Sequence, residues 1–219
     1  MTISAPLWTP SPSLIENSHL MAFAQRNGFA KDVDYATLHN WSLSDVGAFW
    51  SSFWDFAGVL GDKGSIALQD GDQMEKAQFF PQAQINWAEN LLKRHDNAPA
   101  IIFRDELARE REISFAELRG LVSKWQQALI AAGVQKGDRV AGYMPNLPET
   151  LIGALAAASI GAIWSSASPD FGVQGVIDRF GQIEPKILIS VDGYFYNGKT
   201  VDVLSKIKDA LPSIPSIEK

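Results

Sequence analysis

A chain of 219 residues, 46% apolar and 20% charged, is long enough to bury a sizeable core as one domain or two small ones. Its 19 basic and 25 acidic residues leave a formal net charge of −6, and no run of like charge suits a nucleic-acid arm or a polybasic membrane patch. The absence of cysteine excludes disulfides, thiolate metal sites and a cysteine nucleophile, and it fits a reducing compartment such as the cytoplasm.

The opening Met1-Thr2-Ile3-Ser4-Ala5-Pro6 has neither the basic nor the apolar region of a secretory signal. Ser13 with Glu16 reads as a capping box and Gly28 as a stop, which predicts a helix over most of 14–27. Val46, Phe49, Trp50, Phe53, Trp54 and Ala57 then fall on one stripe of a 3.6-period helix, over 43–57. Burying each aromatic of that stripe stabilises by about 1.5–3 kcal/mol, so the helix must dock. Its polar face of Ser44, Asp45, Ser51, Ser52 and Asp55 would be repelled by an anionic bilayer, which favours docking on protein over a membrane surface. Residues 58–78 read as loop, with Gly58, Gly61, Gly64 and Gly71 among Asp and Lys; neither glycine-rich phosphate-loop pattern occurs anywhere in the chain.

From Ala100 the pattern changes. Ala100–Arg104 and Arg111–Ile113 predict a hairpin with a charged loop, and Ser114 with Glu117 a second capping box. Leu118, Val122, Trp125 and Leu129 continue a helix that Gly133 ends. Strands follow at 139–144, 162–166 and 186–191, with helices at about 149–160, 172–183 and 201–211. The uncharged stretch Leu151–Pro169 is too rich in small and polar residues to span a membrane, and reads as a buried helix and strand. Strands alternating with helices predict an α/β fold: a partial doubly wound parallel sheet flanked by helices, preceded by a helical, aromatic-rich extension. The last residues, Leu211–Lys219, fall where another strand is due, and this reads as a truncation.

Several chemistries are set aside. His19, His39 and His95 lie far apart without metal-ligand spacing, and read as surface or satisfied core histidines. Ser165, Ser166 and Ser168 have no G-x-S-x-G context. Trp125 and the aromatics of 49–54 could stack bases, but their helical spacing and the negative net charge favour core packing. A small polyanion remains allowed, because a phosphate needs only local donors.

Three stretches resemble one family. Val134-Gln135-Lys136-Gly137-Asp138-Arg139-Val140 leading to Tyr143-Met144-Pro145-Asn146-Leu147-Pro148-Glu149 is similar to the early core motif of adenylate-forming acyl-CoA synthetases. Ser159-Ile160-Gly161-Ala162-Ile163-Trp164-Ser165-Ser166 resembles the strand that follows it there, and Ile85-Asn86-Trp87-Ala88-Glu89-Asn90-Leu91-Leu92 the segment joining an N-terminal extension to that core. Within the family, Leu7-Trp8-Thr9-Pro10-Ser11-Pro12 and Ser165-Ser166-Ala167-Ser168-Pro169-Asp170-Phe171-Gly172 resemble the acetoacetate-activating group, with acetate- or propionate-activating enzymes as the alternative. The resemblance implies an extension over 1–92 and the first part of an AMP-binding core over 93–219. It also implies a ligase using ATP, Mg2+ and CoA on acetoacetate, with no nucleic-acid or membrane partner and the remainder of its own chain as a necessary one.

In that family the phosphate loop, acidic motifs and mobile lysine lie downstream, so the resemblance implies no catalytic residue within 1–219 and no metal ligand. It does imply a surface for the CoA nucleotide, at Ser168, Pro169 and Asp170 and at the turn Tyr196-Asn197-Gly198-Lys199. Relatives place two arginines in that second turn; here Tyr196 could stack on adenine and Lys199 meet a phosphate as a point charge. The alternative is that Asn197-Gly198 is simply a tight hairpin turn. A short non-enzymatic CoA-nucleotide-binding or interaction protein also stays open.

Overall fold

The computed structural model describes residues 7–219; the expectation for Met1–Pro6 lies outside them. The chain divides into two compact units, one ending at Ile85 and the other spanning Asn86–Lys219.

The first unit is built from helix caps and rings. Two helices, α1 (Pro12–Glu16) and α2 (His19–Arg26), stand where one was expected over 14–27. The expected capping box does not form: Pro12 occupies the first turn, so Ser11 is the cap, and Ser18 restarts the chain by accepting from Met21 N. A helix with no sequence signal strong enough to announce it, α3 (Tyr35–Ser44), starts on the Asp34 carboxylate. Asp45 ends α3 and caps α4 (Val46–Ala57), which shortens the expected 43–57 helix at its start; Gly58, at φ 61°, ends it in the left-handed region.

The aromatic stripe docks as expected, but on one ring above all. Phe23 is 6% exposed and has Trp41, Phe49, Phe53 and Phe56 within 5.2–5.9 Å. Trp54 packs on Phe80 and Trp50 on Phe79, while Trp50 and Phe53 stay 40% and 41% exposed. The expected loop contains two short strands, β1 (Leu68–Gln69) and β2 (Gln78–Phe79), paired antiparallel.

The second unit opens with α5 (Trp87–Leu91), whose cap Asn86 also donates to Ala158 O and Ser159 O. The hairpin β3 (Pro99–Arg104) and β4 (Glu110–Ser114) follows, and the Ser114–Glu117 capping box starts α6 (Phe115–Ala131). Then come β5 (Arg139–Tyr143), α7 (Pro148–Ser159), β6 (Ile163–Ala167), α8 (Val173–Ile183) and β7 (Ile187–Ser190). The three strands are parallel in the order β6-β5-β7.

Period-two alternation sends β5 residues to opposite faces. Val140 packs with Ile187, Trp164 and residues of α6 and α7, whereas Ala141 and Tyr143 pack with Val176 and Phe180 of α8. Helices therefore cover both faces, the doubly wound arrangement expected. One further element was expected only as a tight turn: β8 (Gly193–Tyr196) and β9 (Lys199–Asp202) form a hairpin, closed by Asn197 and Gly198 at φ 51° and 72°. It takes residues assigned to the last helix, so α9 (Leu204–Ala210) begins at 204 rather than 201. Glu218 N and Lys219 O hydrogen-bond along the outer edge of β7. Among the described residues no helix is long and apolar enough to cross a membrane.

Candidate functional site

The motif residues that are easiest to see in the sequence hold the scaffold. Asp138 accepts from Gln135 N at 2.9 Å and closes the Lys136-Gly137 turn, where Gly137 sits at φ 88°. Arg139 donates to Ile183 O and Glu184 O at 2.7 and 2.9 Å, tying β5 to the end of α8. Pro148 begins α7, and Thr150 Oγ1 donates to Pro145 O at 2.7 Å, so the chain leaving β5 turns sharply at the strand's carboxyl end.

The direction of that turn makes a crevice. Helix α7 leaves β5 toward one face of the sheet, while the chain leaving β7 returns on the other face through α9. The strands β5 and β7 are neighbours, so the loops after them diverge, and a cleft opens where open α/β sheets place ligands. It measures about 860 Å³ and is walled by residues 145–149, Ser168 and Asp170, the 192–196 segment, and the β3–β4 hairpin. A second hollow, about 580 Å³ among α5, α6 and α7, has polar groups already matched: Gln126 with Ser159, Arg119 with Leu92 O and Asn86 with Ala158 O.

Three side chains clamp the loop after β6. Tyr143 is fully buried, and its hydroxyl points at Pro169 O and Phe171 O, 3.0 and 2.5 Å away. Lys206 Nζ donates to Pro169 O at 2.7 Å. Tyr194 donates to the Asp170 carboxylate, whose other oxygen accepts from Ser168 Oγ at 2.9 Å. The Tyr194 and Ser168 hydrogen bonds, helped by the Lys206 charge, hold the Asp170 carboxyl below its ordinary range. Burial and the Asp170 hydrogen bond push the Tyr194 phenol up to about 12, so it remains a donor at every physiological pH. Burial, then the Asp170 charge, raises Tyr143 as well.

The sequence-expected residues are thus partly gathered. Ser168, Asp170 and Tyr196 line the cleft, and Tyr194 joins the two turns through Asp170. Pro169 is fully buried, and only its carbonyl takes part. Lys199 stands exposed opposite Tyr196 across the hairpin turn, and among the described residues its ammonium has no ion-pair partner.

The cleft's positive charge comes from elsewhere. Arg104, Arg109 and Arg111 of the β3–β4 hairpin line it, paired with Glu110, Asp105 and Glu149 respectively. Arg109 also lies over the Phe195 ring, 5.4 Å from its centre. Burial would raise the Asp105 carboxyl, but hydrogen bonds from Arg109 outweigh it and keep that carboxyl low. Against these three guanidinium groups stand six carboxylates: Asp105, Glu106, Glu110, Glu149, Asp170 and Asp192. The lining is therefore net negative, even with its three arginines.

A two-faced parallel sheet with its cleft at the carboxyl ends of the strands defines a nucleotide-type α/β domain. Residues 88–218 match the family model described as AMP-binding enzyme, and the chain belongs to that family. It is 50% identical over 217 residues to the acetoacetyl-coenzyme A synthetase of Rhizobium meliloti (strain 1021), covering 98% of this chain and 33% of that protein. The acetoacetyl-CoA synthetase of Xenopus tropicalis is 38% identical over 218 residues, or 97% and 32% of the two chains. The solved structure of acetoacetyl-CoA synthetase from Streptomyces lividans superposes with a TM-score of 0.88 at 36% identity, covering 98% of this chain and 34% of that one. The chain therefore spans about a third of the length of the relatives it matches.

Proposed function

We propose that this chain is the amino-terminal part of a cytoplasmic ligase that makes acetoacetyl-CoA, AMP and pyrophosphate from acetoacetate, ATP and CoA through an acyl-adenylate. In this reading residues 1–92 form an extension and 93–219 the first part of the adenylating core. The observation that supports it most is the likeness along 98% of the chain to a protein bearing that name, at 50% identity. The chain's own share is binding: the cleft beside Ser168, Asp170 and Tyr196 receives the nucleotide end of CoA for the thioester step.

The residues present suit that share and no more. Tyr196, Tyr194 and Phe195 offer ring faces for a purine, and the hairpin turn and Lys199 offer donors for phosphate. The magnesium that accompanies ATP finds no ligand set here: among the described residues no group of three or more His, Asp or Glu could hold a metal ion. No catalytic step is assigned to this chain.

The two half-reactions separate the roles. Lys199→Glu in the complete protein should raise the apparent KM for CoA about tenfold, the worth of one exposed charge-assisted contact. Acetoacetate-dependent ATP–pyrophosphate exchange, run without CoA, should stay unchanged. Normal CoA dependence would make Lys199 an ordinary solvated lysine, and a parallel loss in both half-reactions would mean a damaged fold.

A further inference from the structure

The turn assigned to CoA is already occupied by an anion of the protein's own. Glu106, in the loop between β3 and β4, reaches across 91 positions of sequence and places its carboxylate on the hairpin turn. Asn197 N donates to one carboxylate oxygen at 2.7 Å and Gly198 N to the other at 3.2 Å. Both residues have positive φ, which turns consecutive N–H groups toward the same point. The two amides thus make a small oxyanion cradle, and a carboxylate fills it bidentately.

The remaining lining carboxylates have other duties. Glu110, Asp105 and Glu149 neutralise arginines, Asp170 holds Tyr194 and Ser168, and Asp192 caps Gly193 N. Glu106 neutralises no arginine and instead sits on two consecutive backbone amides, and it does so from an exposed loop, where leaving returns it to water at little cost. Beside it, Arg109 already rests over Phe195, one residue from Tyr196 at the rim of the turn.

We propose that the Asn197 and Gly198 amides are a phosphate-monoester site, and that Glu106 is its displaceable occupant. The inference rests on the reading of this cleft as the CoA nucleotide surface, and names the group bound there as the terminal 3′-phosphate of CoA. That dianion brings more charge and one more acceptor oxygen than the carboxylate it replaces, which favours the exchange. Glu106 then acts as a gate: it holds the hairpin turn in its bound shape while empty, and yields only to a ligand that carries the monoester.

The test is calorimetric titration of CoA and dephospho-CoA into the complete protein and its Glu106→Gln variant. Glutamine can still accept from one turn amide but carries no charge, so CoA should bind about tenfold tighter to the variant while dephospho-CoA is unchanged. Unchanged or weaker CoA binding by the folded variant overturns the gate and leaves Glu106 a structural pin. An equal gain for dephospho-CoA overturns the assignment to the 3′-phosphate. A wild-type protein that binds neither compound overturns the underlying reading, and this inference with it. Hydrogen exchange in the wild type needs no variant: CoA should protect the Asn197 and Gly198 amides more than dephospho-CoA does, and equal protection contradicts the proposal.

Discussion

Replacing Gly142 by alanine tests the packing between the sheet and α7. Gly142 lies mid-strand in β5, in register with Ser166, and its neighbour on the same face is the Trp164 ring. A methyl group there would meet Trp164 Cζ2 at 2.4 Å and Cη2 at 2.7 Å, far inside van der Waals contact. The ring has little room to retreat, since its other side touches the space over Gly153, where a Cβ would already sit 3.1 Å from it. Overpacking of this kind costs about 1–3 kcal/mol. The lower chain entropy of alanine in the unfolded state returns about 0.4–1 kcal/mol, so a net loss of about 1–2 kcal/mol is expected. Urea denaturation followed by far-ultraviolet circular dichroism measures it. Trp164→Leu should lose stability by itself through the cavity it leaves, but the double variant should lose clearly less than the sum of the two. Strict additivity, or a Gly142→Ala protein more stable than the wild type, would refute the argument.

Two predictions concern the clamped loop. Tyr143→Phe removes the donor shared by Pro169 O and Phe171 O; Lys206 still serves the first, so the part-buried Phe171 carbonyl loses its partner at a cost of about 0.5–1.5 kcal/mol, read by the same denaturation. Wild-type stability in that variant would show that the hydroxyl does not hold the loop. Asp170 has a folded pKa below its usual 3.8, so its stabilising contribution is present above that value and fades as pH falls through the lower one. Asp170→Asn should therefore be less stable than the wild type at about pH 6, and the gap should close in strong acid; a gap that persists unchanged below about pH 2 would contradict the assignment.

The sheet was legible because its signals are local and mutually consistent. Ser114 with Glu117, the Gly133 stop and the alternation from Arg139 onward each settle a boundary within a few residues. The first unit was harder. Ser13 with Glu16 has the capping-box spacing, but Pro12, with its fixed φ, takes the first turn and moves the cap back to Ser11. Helix α3 has aromatic and polar residues on every side, so no apolar period announces it. The hairpin at 193–202 was visible only at its Asn-Gly turn, because each strand is four residues long.

The candidate site was less legible than the fold. Ser168, Asp170 and Tyr196 were expected by resemblance, but the arginines that line the cleft beside them come from Arg104–Arg111, some 90 residues earlier. Those residues read only as a charged hairpin loop. No spacing rule connects Glu106 to Gly198, since the connection is made by topology: the hairpin and the end of β7 meet at one end of the sheet. Tyr194 was missed for a similar reason, as its partner Asp170 lies 24 residues away in another loop.

The most direct test of the central claim is to find where the CoA base rests. Photolabelling of the complete protein with an 8-azidoadenine analogue of CoA, followed by peptide mapping, reads this without any substitution. The account predicts label on the Gly193–Tyr196 strand, reduced by excess CoA and not by excess ATP. Label confined to residues outside both the 168–170 loop and the 193–199 hairpin would contradict it.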